Sequence, residues 1–140
     1  MAFAASASDQ FALDILQGIH QVGDNYKIAL YTQATATDKN ETATTYNTTG
    51  ELPTAGGYTQ GGISLTGYAA GKVGDTAYIQ WSDAVWSGAS FSADAAVIYN
   101  ATRSNKILAV VGYSLTTATA GTFTLQMPTG TSSVVTARVA

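Results

Sequence analysis

The sequence contains no cysteine, which excludes disulfides, thiolate metal sites and cysteine nucleophiles. It has one histidine, His20, so a metal site built on imidazole would need several carboxylate partners. Charged residues make up 11% of the chain, against roughly 25% in ordinary globular proteins. Lysine and arginine total 6, aspartate and glutamate 9, and the formal net charge is −3. The cations (Lys27, Lys39, Lys72, Arg103, Lys106, Arg138) are scattered, and only Arg103 and Lys106 are close in sequence. A nucleic-acid partner would need a basic stripe, so none is expected. No apolar run reaches the roughly 18 residues of a membrane span, and no membrane partner is expected. The N-terminal run MAFAASASDQ has no positive n-region, so it does not read as a signal peptide.

What is present is apolar, hydroxylated and rich in glycine. A chain of 140 residues is expected to form one domain and to bury roughly 68% of its unfolded surface. The stretch Trp81–Tyr99 holds both tryptophans and a phenylalanine and then runs apolar. Aromatic anchors between short polar turns are what knits two sheets together. In the first segment Phe11, Ile15 and Ile19 recur at i, i+4 and i+8, widened by Ala12 and Leu16, which predicts a helix over about residues 8–20. That stripe is expected to lie buried against strand residues such as Ile28 and Leu30.

Tyr26–Thr32 (YKIALYT) alternates, is rich in β-formers and reads as a strand bounded by Gly23-Asp24-Asn25. Residues 33–50 are polar, Thr-heavy and aperiodic, and predict a long loop. Further strands are expected at Ile63–Tyr68, Ala77–Trp81, Val85–Trp86, Ala93–Tyr99, Ile107–Ser114, Thr122–Gln126 and Val134–Val139. Gly71–Gly74 reads as a turn, and Asn100–Asn105 and Thr116–Gly121 as hairpin links. Strands at roughly 8–12-residue spacing suggest a sandwich or barrel rather than βαβ units. The expected fold is all-β: a single jelly-roll-like β-sandwich with one N-terminal α-helix.

No stretch carries a recognisable chemistry. Gly56–Gly62 lacks the Gly-Lys-Ser/Thr and the following helix of a phosphate loop, and reads as a turn or a close approach of backbones. His20 is expected at the helix end, where the dipole favours a cation. No nucleophile elbow or metal-ligand run accompanies it. Asp83 and Asp94 could form a glycosidase pair only at a suitable separation, and Asp83 reads better as a turn cap. Tyr58, Tyr68, Tyr78, Tyr99 and Tyr113 could stack on sugars, but in such strands they more often bridge core and surface. The sequons at Asn40, Asn47 and Asn100 are chance matches to be expected in a Thr-rich chain. No enzyme activity and no cofactor are expected.

In order along the chain come YKIALYT (26–32), GYTQGG (57–62), LTG (65–67), a Trp-centred strand, AAVIYN (95–100), AVVGY (109–113) and GTFTLQ (121–126). This order resembles a family of small virion structural proteins of tailed bacteriophages, in particular the capsid decoration, or cement, proteins. The resemblance spans roughly residues 8–128, and its motifs are structural. It implies a protein of the capsid exterior, made in the host cytoplasm, that binds the major capsid protein and forms a homo-oligomer, a dimer or trimer. The termini and the long loop are then the expected contact segments, with Ala2, Phe3, Thr42, Thr44 and Tyr46 as candidate contacts. A tail or adaptor component is the alternative within the virion, and a carbohydrate-binding module the alternative outside it.

Overall fold

Two segments of this sequence are apolar at successive positions rather than alternate ones: Ala95–Tyr99 and Ile107–Ala109. Strands of that kind must be covered on both faces. In the computed structural model, which describes residues 3–7, 9–32, 44–133 and 135–138, they form the centre of the molecule. The elements are β1 (Phe3–Ala7), α1 (Asp9–Leu16), β2 (Tyr26–Tyr31), β3 (Ile63–Ser64), β4 (Ala69–Val73), β5 (Thr76–Gln80), β6 (Ala84–Asn100), β7 (Lys106–Leu125) and β8 (Val135–Arg138). A 3-10 turn at Gly130–Ser132 precedes β8.

All strand pairs are antiparallel. One sheet has five strands in the order β1-β7-β6-β2-β3, and the other has three in the order β4-β5-β8. The all-β expectation with one N-terminal helix therefore holds. The orders give an uneven pair of sheets built on one long hairpin, and a jelly-roll connectivity finds no support in them.

The hairpin is β6 and β7, of 17 and 20 residues. Its register shifts between Trp86 and Ala89, Ala89 and Phe91, Ala93 and Ala95, and Ile98 and Tyr99. Such irregularities bend and twist a ribbon. One half, Ala95–Asn100, pairs with β2, while β1 pairs with Phe3 opposite Tyr113 and Ala7 opposite Ala109. The other half pairs Ala84–Ala93 with Thr116–Leu125. Thr116–Gly121, expected as a turn, is thus strand. Its threonines find cross-strand partners, as in the 2.6 Å bond between the Ser92 and Thr117 hydroxyls. The expected turn at Gly71–Gly74 also moves, because β4 runs to Val73 and the left-handed backbone is at Gly74, φ 59°. At the N-terminus β1 was not foreseen.

Ile28, Leu30, Ala96, Ile98, Leu108 and Val111 face the main core, where they meet Trp81, Trp86, Phe123, Leu125 and Val135. Ala29, Tyr31, Ala95, Val97, Tyr99 and Ile107 form a second buried cluster on the opposite face of the same sheet. The Gly56–Gly62 segment makes the close backbone approach expected of it. A Cβ at Gly62, φ 73°, would overlap the Ile28 carbonyl, and one at Gly56 would overlap that of Ser90.

The helix is shorter than its apolar stripe. Gly18 takes φ 66°, and the Gly18 and Ile19 amides donate to the Ile15 and Asp14 carbonyls at 3.1 and 2.9 Å. This is a Schellman stop, which glycine favours because a left-handed residue without Cβ is unstrained. It ends α1 at Leu16 and leaves Ile19 off the stripe. Phe11 is buried, but Ile15 is 45% exposed and Leu16 86%. The expected burial of Ile15 and Ile19 against the strands is therefore corrected. The residue that α1 buries one turn after Phe11 is Asp14.

Replacing Ile28 by Ala is expected to cost about 2–5 kcal/mol in denaturant melts, as for other fully buried aliphatics. Ile15→Ala should cost less than about 1 kcal/mol, because much of its side chain stays in water. Equal losses at the two positions would contradict this assignment of the core.

Candidate functional site

Of the segments expected to make contacts, Phe3 and Thr44–Tyr46 lie along one edge of the five-stranded sheet, whereas positions 33–43 of the long loop lie outside the described residues. Phe3 is in β1, beside Tyr113 of β7. Thr45 forms an isolated bridge with Lys106, and the Ile107 amide donates to the Thr44 carbonyl at 3.0 Å. Since β6 occupies the other side of β7, Thr44–Tyr46 continues the edge that β1 begins. Thr44 is exposed. Ala2 and Thr42 lie outside the described residues.

Tyr46 is already engaged. Its ring stacks on Tyr99 at 4.2 Å between centroids, and its hydroxyl donates to Glu51 at 2.5 Å. Glu51 is a buried carboxylate that also accepts from the Tyr58 hydroxyl and, at 2.7 Å, from the Gly61 amide. The Tyr58 oxygen in turn accepts the Leu30 amide at 2.9 Å. Tyr99 donates to the Gly61 carbonyl at 2.6 Å. A buried carboxylate is tolerated when its lone pairs are filled in this way. Burial pushes the Tyr58 and Tyr46 hydroxyls well above the ordinary phenol value, reinforced by the bond each makes to Glu51. Tyr99 is pushed up to about 12, mainly by burial. The cluster pins residues 46–61 onto β2 and β6 and keeps its phenols protonated.

A second polar cluster lies where α1 meets the β6–β7 turn. The Schellman stop swings the chain back so that His20 Nε2 is 3.0 Å from Asp14 Oδ2. Lys106 Nζ lies 3.5 Å from the other Asp14 oxygen. On the far side of the ring, His20 Nδ1 is 3.1 Å from Asn100 Nδ2. The Asn100 amide also donates to Asp24 Oδ2 at 2.9 Å, and its Oδ1 accepts from the Thr102 and Arg103 amides at 3.0 and 3.2 Å. Arg103 Nε completes the set with a 3.0 Å bond to Asp24.

The helix-end position foreseen for His20 is corrected. Its side chain is 2% exposed, and it lies beyond the last helical residue. Burial lowers its pKa below the ordinary 6.5, against the opposing pull of Asp14. Burial also pulls the Asp24 carboxyl upward, but bonds from Arg103, Asn100 and Gln21 hold it below the ordinary carboxylate value.

An Asp–His pair suggests a general base, but a base needs a free lone pair within reach of a substrate. Here one nitrogen faces Asp14 and the other accepts from Asn100, so the geometry offers a brace. Asn100 is fully buried, which closes that sequon as an acceptor, whereas Asn47 is exposed. Both tryptophans are buried, and their indole N–H groups have no partner among the described residues. Tyr58, Tyr99 and Tyr113 are buried too, leaving Tyr68 and Tyr78 partly exposed. Among the described residues no group of three or more His, Asp or Glu side chains is placed to hold a metal ion.

Tyr68 and Tyr78 line a cleft of about 280 Å³ between α1 and the three-stranded sheet. Phe11, Ile15, His20 and Ile79 complete its walls, and the lining is mostly apolar. Sequence reasoning missed both polar clusters and the cleft. The only signal for them was indirect: Asp14 interrupting an apolar helical stripe, and Glu51 in a polar segment of few charges.

Tyr58→Phe should cost about 1–3 kcal/mol in urea melts, because it orphans the buried Leu30 N–H and removes a donor from Glu51. An unchanged melt would show that the hydroxyl bridge does not tie this segment down. Comparison with protein-family models, with curated proteins and with solved structures returned no match.

Proposed function

We propose that this chain is a non-catalytic structural protein of a bacteriophage virion, a decoration protein that binds the major capsid protein lattice from outside and stabilises the head. The observation that carries the non-catalytic half is the state of its single imidazole. Both ring nitrogens of His20 are bonded within the fold, and the buried carboxylates Asp14 and Glu51 serve as anchors for neighbouring segments. The capsid half rests on the resemblance carried by Tyr26–Thr32, Gly57–Gly62 and the central hairpin.

Physical chemistry supports such a role. A decoration protein acts by mass action, binding the assembled lattice in preference to its disrupted form. Weak contacts repeated by symmetry add through avidity. The requirement on the subunit is a stiff scaffold that folds without disulfides and presents segments of low charge. The edge formed by β1, which begins at Phe3, and by Thr44–Tyr46, where Thr44 is exposed, is the surface proposed for that contact. Among the described residues no helix is long and apolar enough to cross a membrane. A dimer or trimer would multiply the contacts again.

A carbohydrate-binding module would need exposed ring faces. With both tryptophans and three of the five candidate tyrosines buried, the glycan alternative loses most of its platform.

Virions lacking this chain are expected to rupture at lower temperature while tails stay attached and adsorption is unchanged. Thr44→Lys should weaken co-sedimentation with empty capsids while the isolated protein melts normally. Tyr46→Ala should instead lower the melting temperature, since its hydroxyl is bonded to Glu51. Unchanged rupture together with lost adsorption would overturn the decoration role and move the protein to the tail.

A further inference from the structure

The Asn100 amide has only one orientation that satisfies its surroundings. Its Oδ1 accepts two backbone N–H groups, from Thr102 and Arg103, and its Nδ2 faces the Asp24 carboxylate. Flipping it would set an NH₂ against two N–H donors and an oxygen against a carboxylate. The Nδ2 hydrogen aimed at His20 is therefore fixed, and Nδ1 of His20 must be the acceptor. This leaves the proton on Nε2, bonded to Asp14. The ring is held neutral in one tautomer, and it joins α1 to the β6–β7 turn.

We propose that Asp14, His20 and Asn100 form an acid-sensitive latch: a proton taken from solvent by His20 Nδ1 breaks the bond from Asn100 and loosens α1, with His20, at the β6–β7 turn, while the 3.5 Å Asp14–Lys106 pair stays in place. An imidazolium has two N–H donors and no acceptor. Its new Nδ1–H would point at the fixed Nδ2–H of Asn100, and the amide cannot turn to receive it.

Groups on every packed element bear on this proton. From α1, Asp14 favours the cation and stays bonded to it, while Phe11 stacks on the ring at 5.6 Å between centroids. From the segment before β2, Asp24 also favours it, although three donors already occupy that carboxylate. From β7, Lys106 opposes it, and from β2 the Tyr26 ring packs 6.3 Å away. Arg103, in the turn, is committed to Asp24. Burial, aided by Lys106, prevails over the pull of the two carboxylates, so His20 takes its proton in the folded chain below the ordinary 6.5 of an unfolded histidine. The sign follows: the latch is fully closed above that value, and its contribution is lost as pH falls from there through the folded value.

Release would be local. Residues 21–25 keep their own ties to the turn through Asp24 with Arg103, Asn25 with Thr102 and the Ala101 amide with the Asn25 carbonyl. What moves is α1, which forms one wall of the apolar cleft through Phe11 and Ile15. Mild acid would thus open the cleft and uncover Phe11 beside the already exposed Leu13 and Leu16. The latch does not depend on the capsid role.

The test is hydrogen exchange of the full chain with peptide resolution, corrected for intrinsic rates, beside ¹⁵N spectra of the His20 ring. Amides of residues 9–19 should exchange about tenfold faster or more at about pH 5 than at about pH 7.5, with β6 and residues 21–25 unchanged. The ring should show the Nε2–H tautomer and a titration midpoint below 6.5. His20→Gln can donate to Asp14 and accept from Asn100 without titrating, and should abolish the pH dependence. Asn100→Asp places an acceptor at Nδ1 and should move the wild-type midpoint upward. An Nδ1–H tautomer, equal exchange of residues 9–19 at both pH values, or a retained pH dependence in His20→Gln would overturn the proposal. The ring spectra and wild-type exchange decide it even where a variant does not fold.

Discussion

The pairing of β6 with β7 is the constraint on which everything else in this structure depends. Their central residues are apolar on both faces, so neither face can be left to water. One face takes α1 and the three-stranded sheet, and the other takes the segment that carries Tyr46. The outer edges then recruit β2 on one side and β1 on the other. The bulges let one hairpin do this while its far half bends into a second ribbon, closed by Trp86, Phe91 and Phe123 at 5.0–6.4 Å between ring centroids.

Two buried polar clusters fix what the apolar contacts leave loose. Hydrophobic burial is non-directional and does not by itself set the course of a loop. Glu51 gives the 46–61 segment three directed bonds, and Asn100 gives the segment after α1 and the hairpin turn a shared anchor. Each cluster sits where a connecting segment crosses the central sheet. They differ in one respect: the donors around Glu51 are phenols and an amide that stay protonated through the ordinary pH range, whereas the second cluster contains an imidazole.

That division bears on function. In a chain with few charges, the buried carboxylates Asp14 and Glu51 are spent on holding connections, while Thr44 and the apolar Leu13, Ile15 and Leu16 are among the described groups left exposed. The role proposed above is one of binding, in which edge geometry and the shape of the surface beside α1 would set specificity. A decoration role uses these properties together: stiffness, low charge and repeated weak contact. The acid-sensitive joint at α1 adds a part that can change while the hairpin does not.

Much of the fold was legible in the sequence. The β-rich, apolar runs at Tyr26–Tyr31, Thr76–Gln80 and Ala95–Asn100 became strands because period and composition agreed there. The absence of cysteine and the glycine-assisted approach at Gly62 were equally readable. Local pattern could not reveal that Thr116–Gly121 continues a strand, since its threonines are held by partners across the ribbon. Gly18 marked a stop for α1 in the sequence, but local pattern could not show that the helix buries Asp14 rather than Ile15. Residue spacing set where strands and turns were possible. Only the tertiary structure decided which polar groups met, because His20 and Asp24 find Asn100 more than 70 residues away only after the hairpin has folded back upon them.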